Sequence, residues 1–245
     1  MKKIIAPLLI LSVFALTSCK DDDKIDDFKQ LPKTITSTSG NIQFTYSTNG
    51  QLVKVTDKDS NTSYTETLFT YDNEGRIVKF VNVYNEEGSV ETDTYTITYL
   101  PNNEAKIIDE SNDYTLVKFN GNGQVLSFNN LSEVTTFTYD SKGNVVKISD
   151  DTSTTTVSYN NDKGILSGVT SPKWVLLLTD SDLFYFGGNN PVSVNYVYQN
   201  NGSTNTASDT YTYPVEHIVN GYPTRMLVKH TESGETNNET YSINY

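Results

Sequence analysis

Cysteine is nearly absent from these 245 residues: Cys19 is the sole one, so disulfides are excluded and the fold must hold by burial alone. Imidazole is almost as scarce. His217 and His230 stand thirteen residues apart on either side of a Gly221-Tyr222-Pro223 turn, close enough in sequence to meet across a hairpin, although surface or strand-end positions are the default for such histidines. No Ser sits in a Gly-x-Ser-x-Gly elbow and no Gly-x-x-x-x-Gly-Lys phosphate loop occurs, which sets nucleotide chemistry aside. Basic side chains number 18 against 30 acidic ones, so nucleic acid and anionic headgroups are poor partners. Asp57-Lys58-Asp59-Ser60-Asn61 opens like a calcium-binding EF-hand loop, but Thr62 and Leu68 stand where that loop needs Gly and Glu, so the segment reads as a turn and no metal ligand is assigned. A glycosidase needs a carboxylate pair; most acids here fall in expected turns, where they serve the backbone, and no catalytic residue is singled out. No cofactor is implied.

Long apolar runs are also missing, with one exception at the start. Lys2 and Lys3 precede an apolar run from Ile4 to Leu16, then Leu16-Thr17-Ser18-Cys19. The run covers only ~20 Å at about 1.5 Å per residue, too short for a permanent span, and reads as an export signal. The segment resembles a lipobox, with residues 1–18 removed and Cys19 acylated, which anchors the chain to membrane through lipid. The mature chain then carries a formal charge of −14. Residues 19–32 form an acidic tether, and Lys20, Asp21, Asp22 and Asp23 resemble the acidic export tag of surface-exposed Bacteroidetes lipoproteins.

What is abundant is Thr, Asn, Gly and aromatic side chains, including 17 Tyr and 10 Phe. Residues 33–245 read as a single β-repeat domain. Tyr95, Ile97 and Tyr99 alternate with Thr94, Thr96 and Thr98, so each strand has one apolar face and one wettable face. Between strands recurs a unit of an aromatic, three polar residues and Gly, at Tyr46–Gly50, Tyr71–Gly75, Tyr84–Gly88, Phe119–Gly123, Tyr139–Gly143 and Tyr198–Gly202, with a looser copy at Tyr159–Gly164. The glycine suits the positive φ of a hairpin loop. Tyr99, Phe119, Tyr139 and Tyr159 recur every 20 residues, one hairpin per repeat. The expected architecture is an all-β antiparallel meander of about 14–17 strands, curled into a barrel-like sheet because so wide an open sheet tends to curl or close.

One stretch, from Ser171 to Gly188, breaks the rhythm. It holds Trp174, Leu177, Leu178, Phe184 and Phe186 in the densest apolar cluster of the mature chain. The pattern predicts a short helical or apolar insertion near 173–187, with Thr179 or Asp180 as its cap. The insertion is either a plug for one end of the sheet or a docking patch.

Tyr71-Asp72-Asn73-Glu74-Gly75-Arg76-Ile77 and Tyr139-Asp140-Ser141-Lys142-Gly143-Asn144-Val145 resemble the Tyr-Asp repeats of Rhs-type proteins and teneurins. Over nearly the whole mature chain the sequence is similar to a family of Bacteroidetes lipoproteins with a porin-like β fold. The likeness lies in the aromatic-x-x-x-Gly hairpins, the apolar insertion, and Asn220-Gly221-Tyr222-Pro223-Thr224. The resemblance implies a fold and an outer-membrane, cell-surface address, and carries no activity. Porin-like need not mean a pore: outward faces of Thr, with Lys54, Lys79 and Lys147, do not suit lipid. The function expected is a non-enzymatic module that binds an unidentified glycan or protein. The alternatives are a carrier of an apolar small molecule and, third, a polysaccharide hydrolase.

Overall fold

In a computed structural model of the chain, residues 30–60, 62–130, 132–179, 182–200 and 202–245 are described. The signal segment, Cys19 and the acidic run 20–23 lie outside them, as does Asp180.

The strands are β1 (Thr34–Thr36), β2 (Asn41–Tyr46), β3 (Leu52–Lys58), β4 (Ser63–Tyr71), β5 (Ile77–Glu86), β6 (Ser89–Leu100), β7 (Glu104–Ile108), β8 (Tyr114–Phe119) and β9 (Val125–Asn129). They continue with β10 (Val134–Tyr139), β11 (Val145–Ser149), β12 (Ser153–Lys163), β13 (Asn189–Asn200), β14 (Ser203–Thr212), β15 (Ile218–Val219), β16 (Tyr222–Pro223), β17 (Arg225–Glu232) and β18 (Glu235–Asn244). All but β15 and β16, which form a small sheet of their own, join in a closed 16-stranded antiparallel barrel. The seam is β1 against β18, with Ile35 opposite Ile243, so neither edge is left open.

The recurrent glycine unit resolves into distinct devices. After Tyr46, Tyr71, Phe119 and Tyr139, the next residue (Ser47, Asp72, Asn120, Asp140) accepts backbone N–H bonds on its side chain, while Gly50, Gly75, Gly123 and Gly143 take positive φ. Pairing slips by one residue at each of these aromatics, the mark of a bulged loop. Glu87-Gly88 and Ser233-Gly234 are instead tight loops with both residues at positive φ, and Gly202 belongs to another short loop at the same end of the barrel. Gly164, the looser copy, has ordinary φ and starts the insertion. One sequence pattern thus covers three structures, because positive φ is the sole requirement that the first two share.

The bulged loops, the first described residues and Tyr245 lie at one end of the barrel. There the tyrosines tie neighbouring hairpins together: Tyr71 donates to the carbonyl of Leu52, Tyr159 to that of Val145 and Tyr46 to that of Pro32. Pro32 is buried and Leu31 packs against the core, so the last residues expected in the tether belong to the barrel body.

Inward positions carry the core: Phe44, Val55, Phe69, Phe80, Ile97, Val117, Phe137, Val157, Val194 and Met226 are all buried. Outward positions are Thr-rich, and Lys118, Lys147 and Lys229 are exposed among them. A barrel of 16 strands is wide enough to leave an aqueous channel. Here residues 164–179 and 182–188 occupy much of the space. They fold into two 3₁₀ segments, Lys173–Leu178 and Asp182–Phe186, rather than one capped helix. Thr179 stands at the end of the first segment, its hydroxyl donating to the carbonyl of Leu176, and does not start a helix. Trp174, Val175, Leu176, Tyr185 and Phe186 are buried among the barrel side chains, with Trp174 edge-on to Phe119 at 5.5 Å. The plug is fastened at the bulged-loop end: Thr170 N donates to Gly50 O at 3.3 Å, and the buried Leu52 N–H donates to Ser171 Oγ at 2.8 Å. Lys173 Nζ donates to the carbonyls of Leu166, Ser167 and Val169, satisfying the plug's own backbone. The barrel is therefore plugged at the end where the described residues begin and finish, its closed end, with a side cavity of about 430 Å³ left between the plug and the loops at Gly123 and Gly143.

Candidate functional site

The opposite end is an open mouth, edged by eight hairpin loops. Acidic residues gather there: Asp59, Glu87, Asp109, Glu133, Asp150 and Glu235 each stand in or beside a different loop. The tallest hairpins, β5–β6 and β13–β14, stand opposite one another in the strand order. The plug rises between the walls and leaves a cleft on either side.

The first cleft, a cavity of about 580 Å³, lies against β1–β3, β14, β17 and β18. Its floor is Ile35, Met226, Leu183 and Phe186, and its polar rim includes Asp57, Asp182, Asp209, His230 and Glu239. Asp209 and His230 face each other directly across the β14–β17 pair. Asp209 Oδ1 is 2.7 Å from His230 Nδ1, and Tyr196 Oη donates to Asp209 Oδ2 at 3.0 Å. Glu239 accepts from Tyr241 Oη at 2.7 Å and from the backbone N–H and hydroxyl of Ser39. Burial pushes the Glu239 carboxyl up, but the hydrogen bonds from Ser39, Tyr241 and Ser37 outweigh it and hold the pKa at about 2. Asp182 touches the cleft's solvent yet is enclosed by the surrounding walls. Burial raises its pKa above the usual carboxylate value, and the like charge of Asp209 adds to the rise.

The second cleft, about 610 Å³, lies against β5–β9. Phe80 and Tyr95 stack flat on one another across β5 and β6, with centroids 4.4 Å apart and planes 8° apart. Ile107 and Phe128 continue the wall, Leu177 and Leu178 of the plug form the floor, and Asp109, Asp113, Asn130 and Ser132 form the rim. Asn82, on the inward phase of β5 between Phe80 and Tyr84, is only 6% exposed. Its Nδ2 donates to Tyr84 Oη at 3.3 Å, while its Oδ1 has no partner.

Of the residues singled out in the sequence, Trp174 and Phe186 are buried inside the barrel, Leu177 and Leu178 line the second cleft, and Phe184 packs half-buried against Tyr185. The two histidines do not meet. His217 lies at the closed end, its carbonyl held by Thr224, while His230 stands near the mouth on β17. Among the described residues no group of His, Cys, Asp and Glu is arranged to hold a metal ion. Sequence reasoning missed the Tyr196–Asp209–His230 chain, because β14 pairs with β17 across the intervening β15–β16 excursion. It also missed Asn82, although a polar residue in the apolar phase of a strand was a readable signal.

No family model matches the chain, and no curated protein matches it. Among solved structures it is similar to a porin-like protein from Bacteroides uniformis (13% identity, TM-score 0.39, covering 89% of this chain and 98% of that one). A porin-like protein from Bacteroides vulgatus gives 12% identity and a TM-score of 0.41, with 88% and 99% covered. At that similarity neither protein supplies a residue, ligand or activity for this chain.

Proposed function

We propose that this chain is an anchored binding cup, held to the outer membrane at its closed end through acylated Cys19, with its mouth turned outward to engage a ligand without chemical turnover. The observation that carries the proposal is the plug: residues 164–179 and 182–188 stand in the barrel axis, and the two larger cavities, of about 580 and 610 Å³, open at the mouth, against about 430 Å³ at the other end. A channel needs a hollow axis, and a spanning barrel needs an apolar outer band. Outward lysines such as Lys118 and Lys147 would each cost about 2–4 kcal/mol at a bilayer midplane. The carrier alternative needs an apolar hollow, and it has in its favour the cavity of about 430 Å³ lined by Tyr139, Trp174, Leu177, Phe184 and Tyr185 beside the plug.

Protease shaving of intact cells tests the reading. The native protein is expected to be lost, and a variant with Asp21, Asp22 and Asp23 each replaced by Ala to be protected. Cys19→Ser is expected to release the protein from the membrane fraction. Protection of the native protein on cells whose surface markers are shaved would refute the outward mouth, and ion conductance in planar bilayers would refute the closed cup. A second reading, hydrolysis of a polysaccharide, has in its favour the raised pKa of Asp182 beside Asp209 in one cleft. Reducing-end release that Asp182→Asn abolishes would establish it.

A further inference from the structure

We infer that the cleft between β5–β9 and the plug is a carbohydrate subsite that takes a neutral sugar, an inference that rests on the mouth being the binding face and names what it binds.

Each cleft leaves one buried amide oxygen without a protein partner, Asn41 Oδ1 in the first and Asn82 Oδ1 in the second, and the second differs in setting that oxygen beside stacked aromatic rings. In the first, Asp209 and Glu239 are met by Tyr196, His230, Tyr241 and Ser39 from the protein itself. In the second, Asn82 Oδ1 is buried and unmet. A buried acceptor without a partner is destabilising, and such groups are rare in folded proteins. The protein keeps one here, on a strand position whose neighbours in phase, Phe80 and Tyr84, are aromatic. The oxygen is covered in the structure, and a donor arriving from a ligand would satisfy it once the Asn82 side chain turns toward the cleft it lines.

The lining fixes the chemistry of that donor. Among the residues lining the cleft there is no Lys or Arg, Lys106 lying over the Tyr114 ring without lining it, while Asp109 and Asp113 stand at the rim. An anion, whether a phosphate, uronate or sialate, meets repulsion and no compensating cation. The groups on offer are neutral hydroxyls and amides together with acceptors, Asn82 Oδ1 and the rim carboxylates, beside the flat apolar wall of Phe80, Tyr95, Ile107 and Phe128 over Leu177 and Leu178. A pyranose matches both halves, since its hydroxyls donate and its C–H face lies against aromatic and aliphatic carbon. The volume of about 610 Å³ falls in the range of small-ligand pockets. The mouth is open, so the cleft can hold one or two residues of a longer chain that continues past the rim.

The test applies the detergent-extracted full chain to an array of neutral, amino, uronic and sialylated glycans, then repeats it with Asn82→Ala, Tyr84→Ala and Asp209→Ala. Neutral glycans are expected to bind, Asn82→Ala to weaken them about tenfold, and Asp209→Ala to leave them unchanged. Asn82→Ala removes an unmet acceptor together with the Nδ2 bond to Tyr84 Oη, two effects of opposite sign, so its melting temperature is expected to change little, which separates lost binding from lost folding. Preference for anionic glycans, no binding by any neutral glycan, or binding that falls with Asp209→Ala but not with Asn82→Ala would each overturn the inference. Capture of peptides in place of sugars would overturn it too, while leaving the outward mouth intact. Failure of the mouth reading itself appears separately, in the shaving experiment.

Discussion

Replacing Gly164 by Ala should unfasten the plug from the wall. The residue sits where β12 hands the chain to the insertion, with its N–H donating to Gly188 O at 2.8 Å. A Cβ there would lie 2.4 Å from Phe186 O, 2.7 Å from Gly188 O and 2.9 Å from Asn189 O. All three are backbone atoms, so no side chain can rotate aside and the neck itself must open. Overpacking of this kind costs roughly 1–3 kcal/mol, and with three carbonyls in the way the upper figure of about 3 is expected. In a chain of this size that corresponds to a fall in Tm of about 6–12 °C. The molecule provides its own controls. At Gly121 a Cβ meets nothing within 4 Å and φ is not positive, so Gly121→Ala should change stability by less than about 0.5 kcal/mol. Gly123 is equally open but has φ +74°, and Gly123→Ala should cost about 1 kcal/mol from backbone conformation alone. Unfolding is followed by fluorescence of Trp174, which reports the plug, and by far-ultraviolet circular dichroism, which reports the barrel. The two transitions should coincide, since plug and wall share one core. A Gly164→Ala protein that melts within experimental error of Gly121→Ala would refute the assignment of a crowded neck.

Ser171→Ala should leave the buried Leu52 N–H without its acceptor and cost about 1–3 kcal/mol, read as a lower urea midpoint. At high pH the buried phenols dominate. Burial raises Tyr99 and Tyr139 from 10.0 to about 12, and Tyr46, Tyr159 and Tyr213 further still. Their stabilisation is complete below pH 10 and is lost as pH rises toward 12 and beyond, so alkaline unfolding and tyrosinate absorbance should appear together. If the phenols ionise near pH 10 while the dichroism stays native, their burial is wrong. At low pH the sign reverses for Glu239. Its pKa falls from 4.5 to about 2, so its contribution is present above 4.5 and lost as pH drops through that window. Allowing for its solvent contact, that contribution is about 1 kcal/mol, and Glu239→Gln should flatten the acid limb of the stability profile by that much.

Much of the barrel was legible because its rules are local. Alternation at Tyr95–Thr98 told inside from outside, and each Gly turn joined strands that are neighbours in sequence, so a count near 16 followed. Closure was not local. Ile35 meets Ile243 across the full length of the chain, and a period-2 pattern contains no information about which distant strand completes a ring. The insertion was visible as an apolar cluster, but its 3₁₀ form was not: a short segment inside a barrel takes whatever backbone the walls allow, and propensity decides little. The mouth was hardest to read. Its polar groups come from β5, β14, β17 and the plug, and their meeting depends on the register of pairs such as Asp209–His230 that no short window holds.

An even number of strands places the first residue of β1 and the last of β18 side by side at the closed end, where Lys33 N donates to Asn244 O. Among the described residues the mouth consequently carries hairpin loops alone. Each loop is bound to the rest through the two strands it joins, so any one can be lengthened, shortened or exchanged without disturbing the seam, the tyrosine ties or the plug. The barrel is in that sense a chassis. Grafting a foreign peptide into Glu87-Gly88 or Ser233-Gly234 would display it on a rigid rim, whereas a domain fused after Tyr245 would sit at the opposite end of the barrel.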